Sequence, residues 1–136
     1  MEKQKRKKSD EGHYEYKIGE VMKHYRIEKH ISDGTFGRCF LVTDLEKGTE
    51  YAMKVIRAVE RYVWAAKEEV AILKELQSKD TNDYIVKLVE SFSWGLNYCL
   101  VFEKLGQSLY QVLNHSPLPL PLHTVQHYTK QILLQL

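Results

Sequence analysis

Three groupings of residues in this 136-residue chain carry chemistry that packing alone does not require. The first is ISDGTFGRC, residues 31–39, lying between two strand-like runs. Gly34 and Gly37 would let backbone N–H groups approach phosphate oxygens with no Cβ in the way, and a tight bend there calls for positive φ. A dinucleotide fingerprint opens a helix and a Walker A loop needs GK[ST], so neither applies. A hairpin folded over a triphosphate fits, and so does an ordinary DG turn with no ligand. The second grouping is EYAMKVI, where period two puts Ala52, Lys54 and Ile56 on one face and Met53 and Val55 on the other. A strand lysine is usually a solvated edge residue, but the face-mates of this one are apolar. The third is Glu69, which recurs with Tyr62, Ala66, Leu73 and Leu76 at spacings of 4, 3, 4 and 3. A carboxylate facing a core demands a cation, and Lys54 on the preceding strand can supply one. At the edge of the stripe it would reach water instead.

The elements that must position these groups are legible from periodicity. Short β-branched and aromatic runs at Tyr25 to Ile31, Arg38 to Thr43 and Glu50 to Ile56, joined by SDGTFG and DLEKG, predict three consecutive antiparallel strands. Residues 59–77 lack Gly and Pro and predict a helix. After the polar turn SKDTND, Ile85 to Trp94 and Asn97 to Glu103 predict two more strands around Gly95. This is an antiparallel sheet with one helix packed on it. Past Gly106, SLYQVLN predicts a short helix and PLPLP a stiff linker without PxxP spacing. Val125, Tyr128, Ile132 and Leu136 predict an amphipathic helix from His123 to the last residue. The apolar ILLQL ending leads us to expect a chain cut mid-helix. His123 and His127 have the spacing of a zinc-protease pair, but Thr124 stands where its glutamate would be, so they read as surface histidines.

Composition narrows the classes. The 20 basic and 18 acidic residues give a net charge of +2, yet residues 1–8 hold five of the basic ones and one acid, leaving 15 basic against 17 acidic elsewhere. Net positive charge is thus concentrated in a tail, and a basic body gripping nucleic acid along its surface is not what this balance describes. KQKRKK reads as a nuclear-import patch, a phosphate-binding arm or a solvated tail. Cys39 and Cys99 form neither a disulfide framework nor a metal spacing, so a reducing compartment is expected. Neither a secretory h-region nor an 18-residue apolar stretch occurs, so nucleus or cytoplasm is expected and no membrane partner.

Taken in order, the glycine hairpin, the AxK strand, the helix with its glutamate and a five-stranded sheet resemble the small N-terminal lobe of a protein kinase. RYVWAAKEEVAIL, LVFEKLGQSLYQVL and DEGHYEYKIGEVMKHYRI look like the LAMMER, or CDC-like, subgroup, with similarity from about Asp10 to Leu136. The implied fold class is α+β: a small lobe of five antiparallel strands and one packed helix, then the first helices of an incomplete large lobe. Residues 1–12, polar, charged and without hydrophobic period, read as a disordered basic tail; the resemblance divides the rest into an extension packing on the lobe over 13–24, the ATP-binding lobe over 25–105, and the hinge exit with the first large-lobe helices over 106–136.

The resemblance also assigns roles. Gly34 and Gly37 would be the close-approach positions of a loop that includes Ser32 and Thr35, with Phe36 at its tip shielding the γ-phosphate of ATP. Lys54 would hold the α- and β-phosphates and Glu69 would pair with Lys54. Ile31, Cys39 and Ala52 would sandwich the adenine, Phe102 would be the gatekeeper, and the Glu103 carbonyl and Leu105 backbone would bond the adenine edge. Ser32 in place of the usual glycine and Cys39 in place of the usual valine put ATP affinity in question. The family's catalytic Asp, magnesium-binding Asn and DFG motif have no counterpart up to Leu136. The expectation is the ATP-binding part of a serine/threonine kinase, with dual specificity open, whose magnesium ligands lie elsewhere and which is inactive alone. Protein substrates are implied, Arg-Ser-rich splicing factors by the subgroup only, with no direct nucleic-acid partner and a nuclear or also cytoplasmic location. The alternatives are a short regulatory or binding module, and a nuclear adaptor acting through the basic tail.

Overall fold

Strand-forming runs broken by glycine and polar turns give a six-stranded antiparallel sheet in the computed structural model, which describes residues 11–79 and 84–135. The elements are β1 (Val21–Met22), β2 (Tyr25–Asp33), β3 (Gly37–Asp44), β4 (Glu50–Ile56), α1 (Glu60–Lys79), β5 (Leu88–Trp94), β6 (Asn97–Glu103), α2 (Leu109–His115) and α3 (Leu122–Gln135). The spatial order is β1-β2-β3-β4-β6-β5. The five expected strands form, and a two-residue strand adds at the edge through a turn in which Lys23 takes φ 59°. The fourth expected strand, β5, starts at Leu88 rather than Ile85, and Val89 bulges out of register with β6. KQKRKK, most of SKDTND and Leu136 lie outside the described residues.

The sheet has two apolar faces. On one, Met22, Tyr25, Phe40, Val42, Met53 and Cys99 are fully or almost fully buried, with Tyr14 and Tyr16 of the preceding segment packed over them. Burying one such side chain contributes roughly 1.5–3 kcal/mol. The sheet curls enough to bring its two edges together on this face. Glu90 on β5 accepts hydrogen bonds from Lys23 Nζ and Tyr25 Oη at the other end of the strand order. The Tyr25 and Phe92 rings stack beside them at 6.0 Å. On the second face, Ile56, Leu88 and Leu100 meet Ala66 and Val70 of α1.

The helix register differs from the expected stripe. Glu69 is exposed and Leu76 is 42% exposed, whereas Ala66 and Val70 are buried and Leu73 and Gln77 half-buried. Small Ala66 lets α1 approach the sheet closely. Gln77 turns inward because its amide grips the edge strand, accepting from Leu88 N at 2.7 Å and donating to Leu88 O at 3.2 Å. Glu11 and Gly12, placed by composition in the disordered tail, are instead held. The Gly12 carbonyl accepts from Ala58 N at 2.7 Å, and a Cβ at Gly12 (φ 78°) would sit 3.1 Å from that nitrogen. α2 starts on a capping box between Ser108 and Gln111, α3 starts just after Pro121, and the two enclose a groove of about 300 Å³ between Val112 and Tyr128. No described helix is long and apolar enough to cross a membrane.

Both thiols lie in the sheet. Burial pushes Cys99 from an ordinary 9.0 up to about 12. Unfolded, that thiol would ionise above about pH 9, while folded it stays protonated, so its contribution to stability is complete below pH 9 and lost between 9 and 12. The stability difference between the native chain and Cys99→Ala, measured by urea unfolding, is expected to shrink across that window. A difference constant from pH 7 to 11 would contradict it.

Candidate functional site

The glycine loop joins β2 to β3 and is fastened from beneath. Gly34 N donates to Gly37 O at 2.8 Å, closing the turn. Arg57, one residue past β4 and 7% exposed, donates its backbone N–H to Phe36 O at 2.8 Å. Its guanidinium reaches Thr35 O at 3.0 Å and Glu11 O at 2.6 Å and lies 5.3 Å from the Tyr62 ring centroid. Phe36 lays its ring edge-on to Tyr62 at 5.2 Å, so the loop tip leans on α1. Nothing local in the sequence marks Arg57 or Tyr62 as part of the site. An arginine after a strand reads as surface charge, and Tyr62 reads as helix packing.

The two glycines serve different ends. Neither has positive φ, contrary to the expectation from a tight bend. The reversal spreads over Asp33 to Gly37 through bends at Thr35 and Phe36, so no left-handed residue is needed. Gly37 is required by the protein itself, since a Cβ there would lie 2.3 Å from Val55 O. Gly34 is not, because its Cβ would meet nothing nearer than Gly37 O at 3.8 Å.

Beneath the tip, Phe36, Lys54, Ile56, Tyr62, Ala66 and Glu69 line a cleft of about 100 Å³. Lys54 and Glu69 therefore share one side of the sheet, but ammonium and carboxylate are more than 4.0 Å apart. The inward glutamate expected from the stripe is instead exposed at the cleft rim. Lys54 sits opposite Cys39 on β3 and Leu100 on β6. Burial pushes the Cys39 thiol up, and the Lys54 charge opposes this. At the loop's base, burial works against the Asp33 charge, but His30 Nε2 at 2.7 Å and Arg38 Nε at 3.2 Å hold its carboxyl below the usual range.

The remaining sequence-derived positions extend the same face. Ala52 lies opposite Leu41 on one side and Phe102 on the other, so the smallest side chain of the row is at its centre. Cys39 lies opposite Ser32, and Ile31 is 53% exposed at the outer rim. Glu103 is fastened by two contacts with Lys87, its Oε1 accepting from Lys87 N and its N–H donating to Lys87 O, both at 3.0 Å. Leu105 follows, 64% exposed. The result is a shallow apolar strip ending at a lysine and a glycine loop, suited to a flat ring continued by anionic groups. For a magnesium ion the cleft lining offers one carboxylate, Glu69, so a metal there would draw on the ligand's own phosphates. His123 and His127 are exposed on α3.

Comparison with known proteins adds a family. The protein kinase domain model matches residues 25–136. The chain is 36% identical to the serine/threonine-protein kinase Doa of Drosophila melanogaster and 34% identical to the dual specificity protein kinase CLK2 of Mus musculus, over 90% of this chain in each case. It is 37% identical to the serine/threonine-protein kinase SRPK of Physarum polycephalum over 92%. It spans only 15%, 26% and 32% of those three proteins. The crystal structure of the PF14_0431 kinase domain superposes with a TM-score of 0.81 at 33% identity, covering 90% of this chain and 37% of that one.

The two glycines make opposite predictions. Gly37→Ala forces a Cβ against a backbone oxygen and should lower unfolding stability by about 1–3 kcal/mol. Gly34→Ala should stay within about 0.5 kcal/mol of the native chain. Urea denaturation of both variants checks this, and equal losses would refute the distinction.

Proposed function

The chain belongs to the protein kinase family, and from that premise we propose that its helix-side cleft is the ATP-binding part of an enzyme that phosphorylates protein hydroxyls. The observation that carries this reading is Gly34. The fold leaves room for a side chain there, so its glycine is explained by something that must approach the loop backbone from outside. Lys54 in the cleft below supplies the positive charge such an anion needs. Bound there, ATP would supply the phosphoryl group to be transferred, held by Lys54 and the Gly34 backbone, and magnesium would supply further positive charge.

The chain's own residues then have separable tasks. Phe36 covers the cleft and excludes water, Lys54 orients the phosphates, and the strip from Cys39 and Ala52 to Phe102 receives the base, with Ile31 and Leu105 at its rims and the Glu103 and Leu105 backbone along its edge. Glu69 orients Lys54 once the gap between them closes. An exposed ion pair contributes only about 0–1 kcal/mol, so that contact alone cannot hold α1 in place. Phosphate charge on Lys54 and the Phe36–Tyr62 contact must share the work. The 136 residues include neither an HRD nor a DFG sequence, so this stretch by itself is proposed to bind nucleotide without transferring phosphate. Serine/threonine and dual-specificity relatives support hydroxyl substrates on proteins. Arg-Ser-rich splicing factors and nuclear import through KQKRKK are proposed from the subgroup resemblance and the basic run; loss of nuclear accumulation on deleting residues 1–8 would support the second and unchanged location would refute it.

Binding of a fluorescent ATP analogue to the 136-residue chain should weaken about tenfold or more in Lys54→Met and in Gly34→Ala, while thermal unfolding of both variants stays near that of the native chain. Equal affinity in Lys54→Met would overturn the assignment. Incubated with magnesium, ATP and a basic protein substrate, the chain should give no transfer above the Lys54→Met background, and transfer abolished by that variant would refute the proposed division of labour.

A further inference from the structure

One side-chain cluster among the described residues has no part in the nucleotide cleft. Where the β1–β2 and β3–β4 turns meet, His24, Asp44 and Glu46 each present a donor atom, and the three atoms lie within 4.8 Å of one another. β2 begins beside them and runs nine residues to the glycine loop, so roughly 25 Å of strand separates the two places.

Ion pairing alone is a poor account of the arrangement. His24 Nε2 stands 3.7 Å from Asp44 Oδ2 and 3.6 Å from Glu90 Oε2. Both separations exceed hydrogen-bond range. The first is close to the edge of about 3.4 Å expected between ligands of one tetrahedral ion with bonds of about 2.1 Å. Asp44 is 1% exposed, and its other oxygen is occupied by Glu46 N at 2.9 Å and Lys47 N at 3.2 Å. Oδ2 is thereby fixed toward His24 within a buried carboxylate, a costly placement without a cation. The two turns are themselves tied together, Leu45 N donating to His24 O at 2.9 Å, so imidazole and carboxylates are brought together by backbone and not by one another. Glu90 is already engaged by Lys23 and Tyr25 and stands as an outer neighbour.

We propose that His24, Asp44 and Glu46 form a binding site for a divalent cation of the zinc class. One imidazole nitrogen with two carboxylate oxygens suits zinc, whereas magnesium prefers an all-oxygen octahedron rich in water. Three protein ligands leave one position for water. The site lies at the far end of β2 from Lys54, so it is independent of nucleotide.

The test is calorimetric titration of the 136-residue chain with zinc chloride near neutral pH in excess magnesium, alongside cobalt titration followed by visible absorption. The expected result is one ion per chain with an intense cobalt spectrum of the tetrahedral kind. Affinity should fall about tenfold or more in both His24→Gln and Glu46→Gln, whose positions are accessible enough to tolerate the change. It should be unchanged in the double variant His123→Gln, His127→Gln. Zinc should also raise the unfolding temperature of the native chain and not that of His24→Gln. Absence of saturable binding at micromolar zinc, binding that survives His24→Gln, or binding lost with the α3 histidines would each overturn the proposal.

Discussion

The buried guanidinium of Arg57 is the contact on which the working half of this structure depends. A charged group that is 7% exposed has to find acceptors, and here it finds the Thr35 carbonyl of the glycine loop and the Glu11 carbonyl of the N-terminal segment. Its own backbone N–H holds Phe36 O, and its Cζ lies 5.3 Å from the centroid of the Tyr62 ring on α1. Loop, leading segment, β4 and helix are therefore fastened at one residue. Charge-assisted bonds to carbonyls are worth more than neutral ones, and removing one partner leaves a buried charge. The position of the loop over Lys54 follows from that fastening.

The second constraint is the two-faced sheet. β4 is paired on both sides, and its alternation sends Met53 and Val55 into one core and Lys54 and Ile56 toward α1. A lysine on that row is neither a free edge charge nor a core residue. It stands at the margin of the apolar packing, with Cys39 and Leu100 as cross-strand neighbours. That placement keeps the ammonium available under the loop while α1 shields it from one side. The glutamate on the helix is left at the rim, so the geometry of the pair is adjustable where the geometry of the strand is not.

How much of this was legible in the sequence varied with the range of the interaction. Period two identified the faces of β4, and glycine-bounded runs identified the five long strands, because both signals are local. A two-residue strand such as Val21–Met22 gives no periodic signal. Hydrophobicity favours Leu76 over Gln77 in the α1 stripe, but the Gln77 amide is turned inward by the Leu88 backbone, a partner on an element that helical spacing cannot see. The glycine loop is legible, but the reason for Gly37 is not, since the Val55 oxygen it must clear belongs to the neighbouring strand β4. Arg57 and the His24–Asp44 pairing were illegible for the same cause: each joins segments whose proximity exists only after the chain is folded.

The curl that brings Glu90 to Lys23 and Tyr25 also bears on self-association. A flat sheet of this size would offer other chains two straight rows of unpaired amides. Here one border is the two-residue β1, continued along β2 where the register shifts between Ile27 and Lys29 and between His30 and Ser32, and the other is kinked at Val89 and carries a carboxylate drawn across the opening. Fibril-like stacking of one molecule on the next finds no straight, uncharged ribbon to extend.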